Sequence, residues 1–92
     1  MNTAAKGRRQ EWRSIAIYEG WGFRCLRSAG SKGAWDFIAV NHEGIVLVQV
    51  RSGRWPSPAE CAELKAYPVP TNARKVIHRW KLRARAPEVR NL

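Results

Sequence analysis

The sequence predicts a single α+β domain in which helices flank a central sheet in three layers. Three observations support this prediction. Apolar residues recur at helical spacing near the N-terminus, three extended apolar segments follow at short intervals, and a second helix with its own start signal precedes a last strand. A length of 92 residues allows one compact domain, so residues 1–92 are expected to form one folded unit.

The predicted elements follow the order α-β-β-β-α-β. They are a helix over 8–19, strands over 23–27, 35–40 and 45–51, a helix over 58–66 and a strand over 75–83. The second helix has the clearest start, because Ser57 can cap it, Pro58 fits its first position and Glu60 completes a capping box. Residues 1–7 and 86–92 are expected to be tails on a core over 8–85.

The charge balance predicts a polyanionic partner. Seventeen Lys and Arg against seven Asp and Glu give a formal net charge of +10. Nucleic acid fits this excess first and an anionic membrane surface second, while a soluble protein without a specific polyanion is a third interpretation. Cys25 and Cys61 have no zinc-binding spacing, and no long apolar run or export signal follows Met1. We therefore expect a cytoplasmic protein without a membrane partner.

The turn between the second and third strands brings polar side chains together. If its loop has four residues, Val40 pairs with Ile45, and Asp36 then lies opposite Gln49 with Cβ atoms roughly 5 Å apart. Arg51 shares the strand face of Gln49. Leaving such groups unpaired in the interior costs roughly 1–3 kcal/mol each, so the set needs an explanation. It is either an internal network, with Asp36 paired to Arg51 through Gln49, or a functional site.

One ordered set of residues extends this pattern along the chain. It comprises Glu11 in the first helix, Gly22-Phe23, Arg27-Ser28, Ser31-Lys32-Gly33, Asp36, and Gln49-x-Arg51 after an apolar strand. The set resembles the archaeal-type Holliday junction resolvases of the PD-(D/E)XK nuclease superfamily, over roughly residues 7–53. The resemblance implies a restriction-endonuclease-like fold, with a mixed central sheet flanked by helices. It also implies a homodimer that cuts branched DNA with magnesium, manganese being possible.

The resemblance implies roles for individual residues. Glu11 matches a helix glutamate that helps to hold the metal, Asp36 matches the metal-binding aspartate, and Ser31 matches a loop serine near the scissile phosphate. The implied catalytic residues are Glu11, Ser31, Asp36, Gln49 and Arg51. The implied metal ligands are Asp36, Gln49, Glu11 and the backbone carbonyl of Val50.

Two positions depart from the family's pattern. Gln49 stands where glutamate is usual, so it keeps an oxygen ligand but lacks a charge that is worth roughly 4 kcal/mol per unit pair at 4 Å. The VRR-NUC group resembles this chain in using glutamine there. Arg51 stands where lysine is usual, and arginine cannot act as a general base although it can hold a phosphate. The chain is thus an endonuclease, a DNA-binding module with a vestigial site, or an interaction domain without DNA affinity.

The last predicted strand alternates between an apolar face and a cationic face. Lys75, Ile77, Arg79, Lys81, Arg83 and Arg85 would share the cationic face, where successive positions stand about 6.6–7 Å apart. Such a row suits either a phosphate backbone or a charged edge that resists aggregation. The expected DNA-binding residues are Arg8, Arg9, Arg27, Lys32, Arg54, Arg79, Lys81 and Arg83. His78 is expected to be packed, and Trp21, Trp35 and Trp55 are expected in core or dimer packing more than in base stacking.

Overall fold

Seven helices and strands build the chain, which was analysed as a computed structural model that describes residues 3–28 and 34–92. They are α1 (Thr3–Gly20), β1 (Arg24–Arg27), β2 (Phe37–Asn41), β3 (Gly44–Ser52), α2 (Pro58–Ala66), β4 (Ala73–Trp80) and β5 (Glu88–Asn91). No helix in the described ranges is long and apolar enough to cross a membrane.

The strands form one mixed sheet in the order β1-β2-β3-β4-β5. Neighbouring strands are antiparallel except for β3 and β4, which run parallel. A parallel pair needs a crossover connection, and α2 supplies it. The predicted fold class, α+β with a mixed sheet between helices, is confirmed, and β5 is added to the predicted order.

The β2–β3 hairpin has the predicted register. Val40 pairs with Ile45 and Phe37 pairs with Val48, as the expected antiparallel pairing requires. The pairing continues to Asn41 and Gly44, so the loop itself has two residues instead of four. The Asn41 side-chain oxygen accepts hydrogen bonds from the backbone N–H groups of Glu43, at 2.9 Å, and of Gly44, at 3.2 Å. The register therefore matches the prediction although the turn is tighter.

The sheet is covered on both faces. The α1 face buries the core residues Ile15, Tyr18, Phe37, Ala39, Val46, Val48 and Val76. The α2 face buries Trp35, Leu47, Leu64 and Ile77. Because successive residues of a strand point to opposite faces, β3 contributes apolar side chains to both layers. The third strand is therefore central and covered on both faces, and Trp35 lies in the core.

A buried polar network lies within the α1 face. His78 Nδ1 is hydrogen-bonded to Ser14 Oγ at 3.0 Å, and Trp80 Nε1 donates to the same oxygen at 2.8 Å. The ring of His78 also stacks on Tyr18, with centroids 5.5 Å apart. Burial lowers the pKa of His78 to about 4, so the imidazole is neutral at physiological pH. The expectation of a packed histidine is confirmed.

Both expected tails contain regular structure. Residues 3–7 belong to α1, and residues 88–91 form β5, which pairs with β4. The N–H of Leu92 donates to the carbonyl of Lys75 at 3.0 Å, and Leu92 packs against the α2-face core. The predicted limits of the core at residues 8 and 85 are therefore wrong, because the edge of β4 is covered by a strand.

The predicted cationic face of the last strand is also wrong. β4 ends at Trp80, and Arg83 lies in a turn with a positive φ of 63°. Ile77, on the face expected to be cationic, is fully buried under α2. The alternation of charged residues therefore does not continue along one strand, since β4 is an interior strand with both faces covered.

Candidate active site

Asp36 lies just before β2, at the end of the hairpin where β3 continues beyond its partner strand. Its backbone N–H donates to the carbonyl of Val48 at 2.9 Å, and its Oδ2 accepts from the backbone N–H of Val50 at 2.6 Å. The carboxylate thus bonds a strand N–H that β2 does not reach. Bonds to β3 from both its backbone and its side chain fix the position of this carboxylate.

The carboxylate of Asp36 is poorly solvated and lies in the field of a second carboxylate, that of Glu11. The pKa of Asp36 is raised, first because burial removes the carboxylate from water. The Val50 N–H lowers the pKa, Glu11 raises it, and the charges of Arg51 and Arg27 lower it. A perturbed carboxyl group of this kind is typical of a functional site. A cation bound beside Asp36 would offset the cost of its desolvation.

Gln49 and Arg51 lie together on the α2 face, as the strand alternation predicted. Arg51 Nε donates to Gln49 Oε1 at 3.1 Å, and Gln49 Nε2 donates to the carbonyl of Ala34 at 3.0 Å. The guanidinium of Arg51 also forms an ion pair with Glu60 in the first turn of α2. Across the described ranges, no ion pair joins Asp36 to Arg51. The internal network considered from the sequence is therefore wrong in its central contact.

Glu11 approaches the site from α1. Its carboxylate accepts from Arg27 Nε on β1 at 3.1 Å, and both side chains are largely buried. The guanidinium of Arg27 lies 5.5 Å from the centre of the Trp12 ring. Arg27 is therefore held against α1, and Glu11 acts on Asp36 through its charge while it is paired with an arginine.

The structure describes Val50 among the remaining predicted site residues, and it limits which groups could hold a metal ion. Ser31 and Lys32 lie outside the described residues. Val50 contacts Asp36 through its N–H. No three side chains of His, Cys, Asp or Glu within 3–28 and 34–92 group closely enough to hold a metal ion. A metal at Asp36 would therefore need the Gln49 oxygen, backbone oxygens and water.

Several cations expected to bind DNA lie at the surface. Arg8, Arg9, Arg54 and Arg83 are exposed. Arg79 is different, because its side chain is only 18% exposed and pairs with Glu88 on β5. Lys81 Nζ lies 3.7 Å from the same glutamate.

Sequence reasoning missed three residues in the layer that contains α2. Glu60 was recognised only as part of a helix cap, and Ser57 Oγ does accept from its backbone N–H at 3.2 Å. Arg90 fell in a segment expected to be a tail. Trp55 was assigned to packing, but two guanidinium groups lie over its ring.

The comparisons with known proteins concern the whole fold. No protein-family model matches the sequence, and no curated protein matches it significantly. Among solved structures, the chain is similar to Hjc, a Holliday junction resolvase from Archaeoglobus fulgidus, with a TM-score of 0.68 and 22% sequence identity. The match covers 95% of this chain and 71% of that chain. The chain has a resolvase-like fold. At this level of identity, the likeness is one of architecture.

Proposed function

We propose that this protein is a metal-dependent DNA endonuclease, selective for DNA structure in the manner of a Holliday junction resolvase. The observation that carries the proposal is the poorly solvated carboxylate of Asp36, which is fixed by the Val50 N–H and lies within the field of Arg51 in a resolvase-like fold. The net charge of +10 supports DNA as the substrate, because a basic domain attracts a polyanion.

The donor groups fit magnesium. Mg²⁺ prefers hard oxygen ligands and is usually held by one or two carboxylates with several waters. Asp36 would supply a carboxylate, Gln49 an amide oxygen and Val50 a backbone carbonyl, and Mn²⁺ accepts the same ligands. Glu11 would add negative potential. When bound, such an ion supplies a nucleophilic water at neutral pH and offsets charge on the phosphate.

The chain's own residues would position and stabilise the phosphate. Arg51 stays protonated and presents a fork of N–H groups that matches phosphate oxygens. Gln49 orients this fork through the bond to Arg51 Nε. The charge of Arg51 would then stabilise the negative charge that develops on the phosphate during attack. The Val50 N–H helps to keep Asp36 ionised, because it bonds the charged form.

The proposal includes a homodimer, because a resolvase acts on a four-way junction. Two strands of a four-way junction must be cut, so two copies of the site are needed at a fixed spacing. The homodimer is tested by sedimentation of the purified protein with and without a junction. A monomer under both conditions would contradict this part of the proposal.

Cleavage of labelled four-way junctions and matched duplexes, with Mg²⁺, with Mn²⁺ or with EDTA, tests the activity. Asp36→Asn keeps the shape and the acceptor for Val50 but removes the charge, so cutting is expected to fall to background. Glu43→Gln is the matched control, because Glu43 is exposed in the hairpin loop at the other end of β2. The proposal is wrong if the parent does not cut, or if Asp36→Asn cuts as well as the parent.

A DNA-binding module with a vestigial site is the second candidate. It is favoured by one observation, that the Gln49 oxygen and the Arg51 charge are engaged with each other and with Glu60. This candidate predicts salt-sensitive DNA binding without metal-dependent cleavage. Cutting restored by the double variant Gln49→Glu, Arg51→Lys would show that only these two side chains had been lost. A domain without DNA affinity would show no gel shift at any salt concentration.

A further inference from the structure

Three arginines on the α2 face lie on adjacent strands. Arg51 on β3 and Arg79 on β4 are Cα partners in the parallel pairing. Arg90 on β5 is paired with Ile77, two residues before Arg79 on β4, so its side chain is on the same face. Since neighbouring strands are about 4.8 Å apart, the three Cα atoms span roughly 10 Å across the sheet. We call this set the arginine row.

Trp55 supports two members of the arginine row. The guanidinium carbon of Arg90 lies 4.1 Å from the centre of the Trp55 ring, and that of Arg79 lies 5.1 Å from it. Cation–π contacts of this kind restrain a flexible arginine. Arg79 Nε is buried and has no hydrogen-bond partner in the described part of the chain. The row thus presents charge whose position is restrained by the Trp55 ring.

Two glutamates pair with the arginine row. Glu60 pairs with Arg51, and Glu88 pairs with Arg79. Their side chains are 48% and 49% exposed, so water and salt screen both ion pairs. Phosphate oxygens can replace these carboxylates without loss of a buried contact. The pairing therefore satisfies the arginines in the absence of a polyanion and does not block one.

We infer that the arginine row and Trp55 form a binding surface for the sugar–phosphate backbone of a nucleic acid strand that leads to Asp36. This inference rests on the proposed function, which makes the bound polymer DNA. It adds that the DNA strand lies along the α2 face of the sheet. Forked guanidinium groups match phosphate oxygens, whereas contacts of this kind carry no base information. Arg90 covers the Trp55 ring, so Trp55 orients the arginines instead of stacking on bases.

The decisive variants are Arg90→Gln and Arg24→Gln. Both arginines are exposed, both are on edge strands, and both project from the α2 face by strand register. Arg24 is on β1, four strands from β5, which separates the two positions by roughly 19 Å across the sheet. This distance exceeds the screening length of about 8 Å at physiological ionic strength. The two variants therefore change net charge equally but differ in position.

The experiment measures binding of a fluorescent DNA duplex and four-way junction by anisotropy, in EDTA, over a salt series. Arg90→Gln is expected to reduce the slope of log K against log salt by about 0.9. This slope corresponds to binding about fivefold weaker at 0.15 M salt and about fifteenfold weaker at 0.05 M. Arg24→Gln is expected to bind as the parent does. Trp55→Phe should keep the parental affinity, and Trp55→Leu should weaken it about threefold because the arginines lose their support.

Equal effects of Arg90→Gln and Arg24→Gln would overturn the inference, because net charge would then explain binding. Tighter binding to phosphatidylserine vesicles than to DNA, lost in Arg90→Gln, would also overturn it. Binding in EDTA separates this surface from catalysis. A parent that binds through Arg90 but never cuts keeps the inference and refutes the endonuclease. A parent that cuts while Arg90→Gln binds normally refutes only the inference.

Discussion

We expect mild acid to destabilise this fold through one buried side chain, His78. The residue is 1% exposed, and burial lowers the pKa of its imidazole to about 4 from an ordinary value of 6.5. Between these two values the unfolded chain binds a proton that the folded chain does not. The stability associated with His78 is therefore fully present above pH 6.5 and is lost as the pH falls towards 4.

The size of the effect follows from the two pKa values. Protonation linkage gives a loss of about 2 kcal/mol between pH 7 and pH 5, and a limit of about 3 kcal/mol at still lower pH. The folded state of a small domain is favoured by only about 5–15 kcal/mol, so a loss of about 2 kcal/mol is a large fraction of its stability. Asp36 acts in the opposite direction, because its raised pKa favours proton uptake by the folded chain as the pH falls.

Urea unfolding at several pH values and constant ionic strength measures this loss. His78→Phe is the reference, because it keeps an aromatic ring against Tyr18 and removes the titrating group. It is expected to be less stable than the parent at pH 7, since Ser14 loses a hydrogen-bond partner. Its stability should change less with pH, while Asp36 and the net charge affect both proteins alike. Equal losses in parent and variant between pH 7 and pH 5 would refute the reasoning.

Two further substitutions test the hairpin and the site. Gly44→Ala is expected to lower the free energy of unfolding by about 1–3 kcal/mol, because its Cβ would meet the backbone oxygen of Asn72 at 2.5 Å. Gly20→Ala, where the new Cβ meets nothing within 4 Å, is the control in the same urea titration. Glu60→Gln is expected to tighten DNA binding in anisotropy, more at low salt, because it removes the carboxylate that neutralises the site arginine. Glu63→Gln, an exposed position on the same helix, should have no such effect, and equal gains would contradict this role of Glu60.

Much of the fold could be predicted because its signals are local. Ser57, Pro58 and Glu60 specify a helix start within four residues, and α2 begins at Pro58. The apolar run of β3 indicated a strand covered on both faces. The hairpin register followed once Val40 was assumed to pair with Ile45, because antiparallel pairing propagates from the turn, although the loop has two residues instead of four.

The candidate site was predictable only in part. The positions of Gln49 and Arg51 on one strand face follow from alternation, which needs no tertiary information. The ion pair between Arg51 and Glu60 does not follow from alternation, because Glu60 reaches Arg51 only after the chain leaves β3 and begins α2. The contact of Asp36 with the Val50 N–H likewise depends on where β2 stops pairing with β3.

The sequence by itself determined the elements, their order as far as β4, the hairpin register and the basic character of the chain. Only the tertiary structure decided that residues 88–91 form a strand and that Arg51, Arg79 and Arg90 lie side by side. The physical reason is the range of the interactions. Caps, turns and periodicity act within a few residues, whereas strand pairing across a crossover depends on burying both faces of the sheet at once.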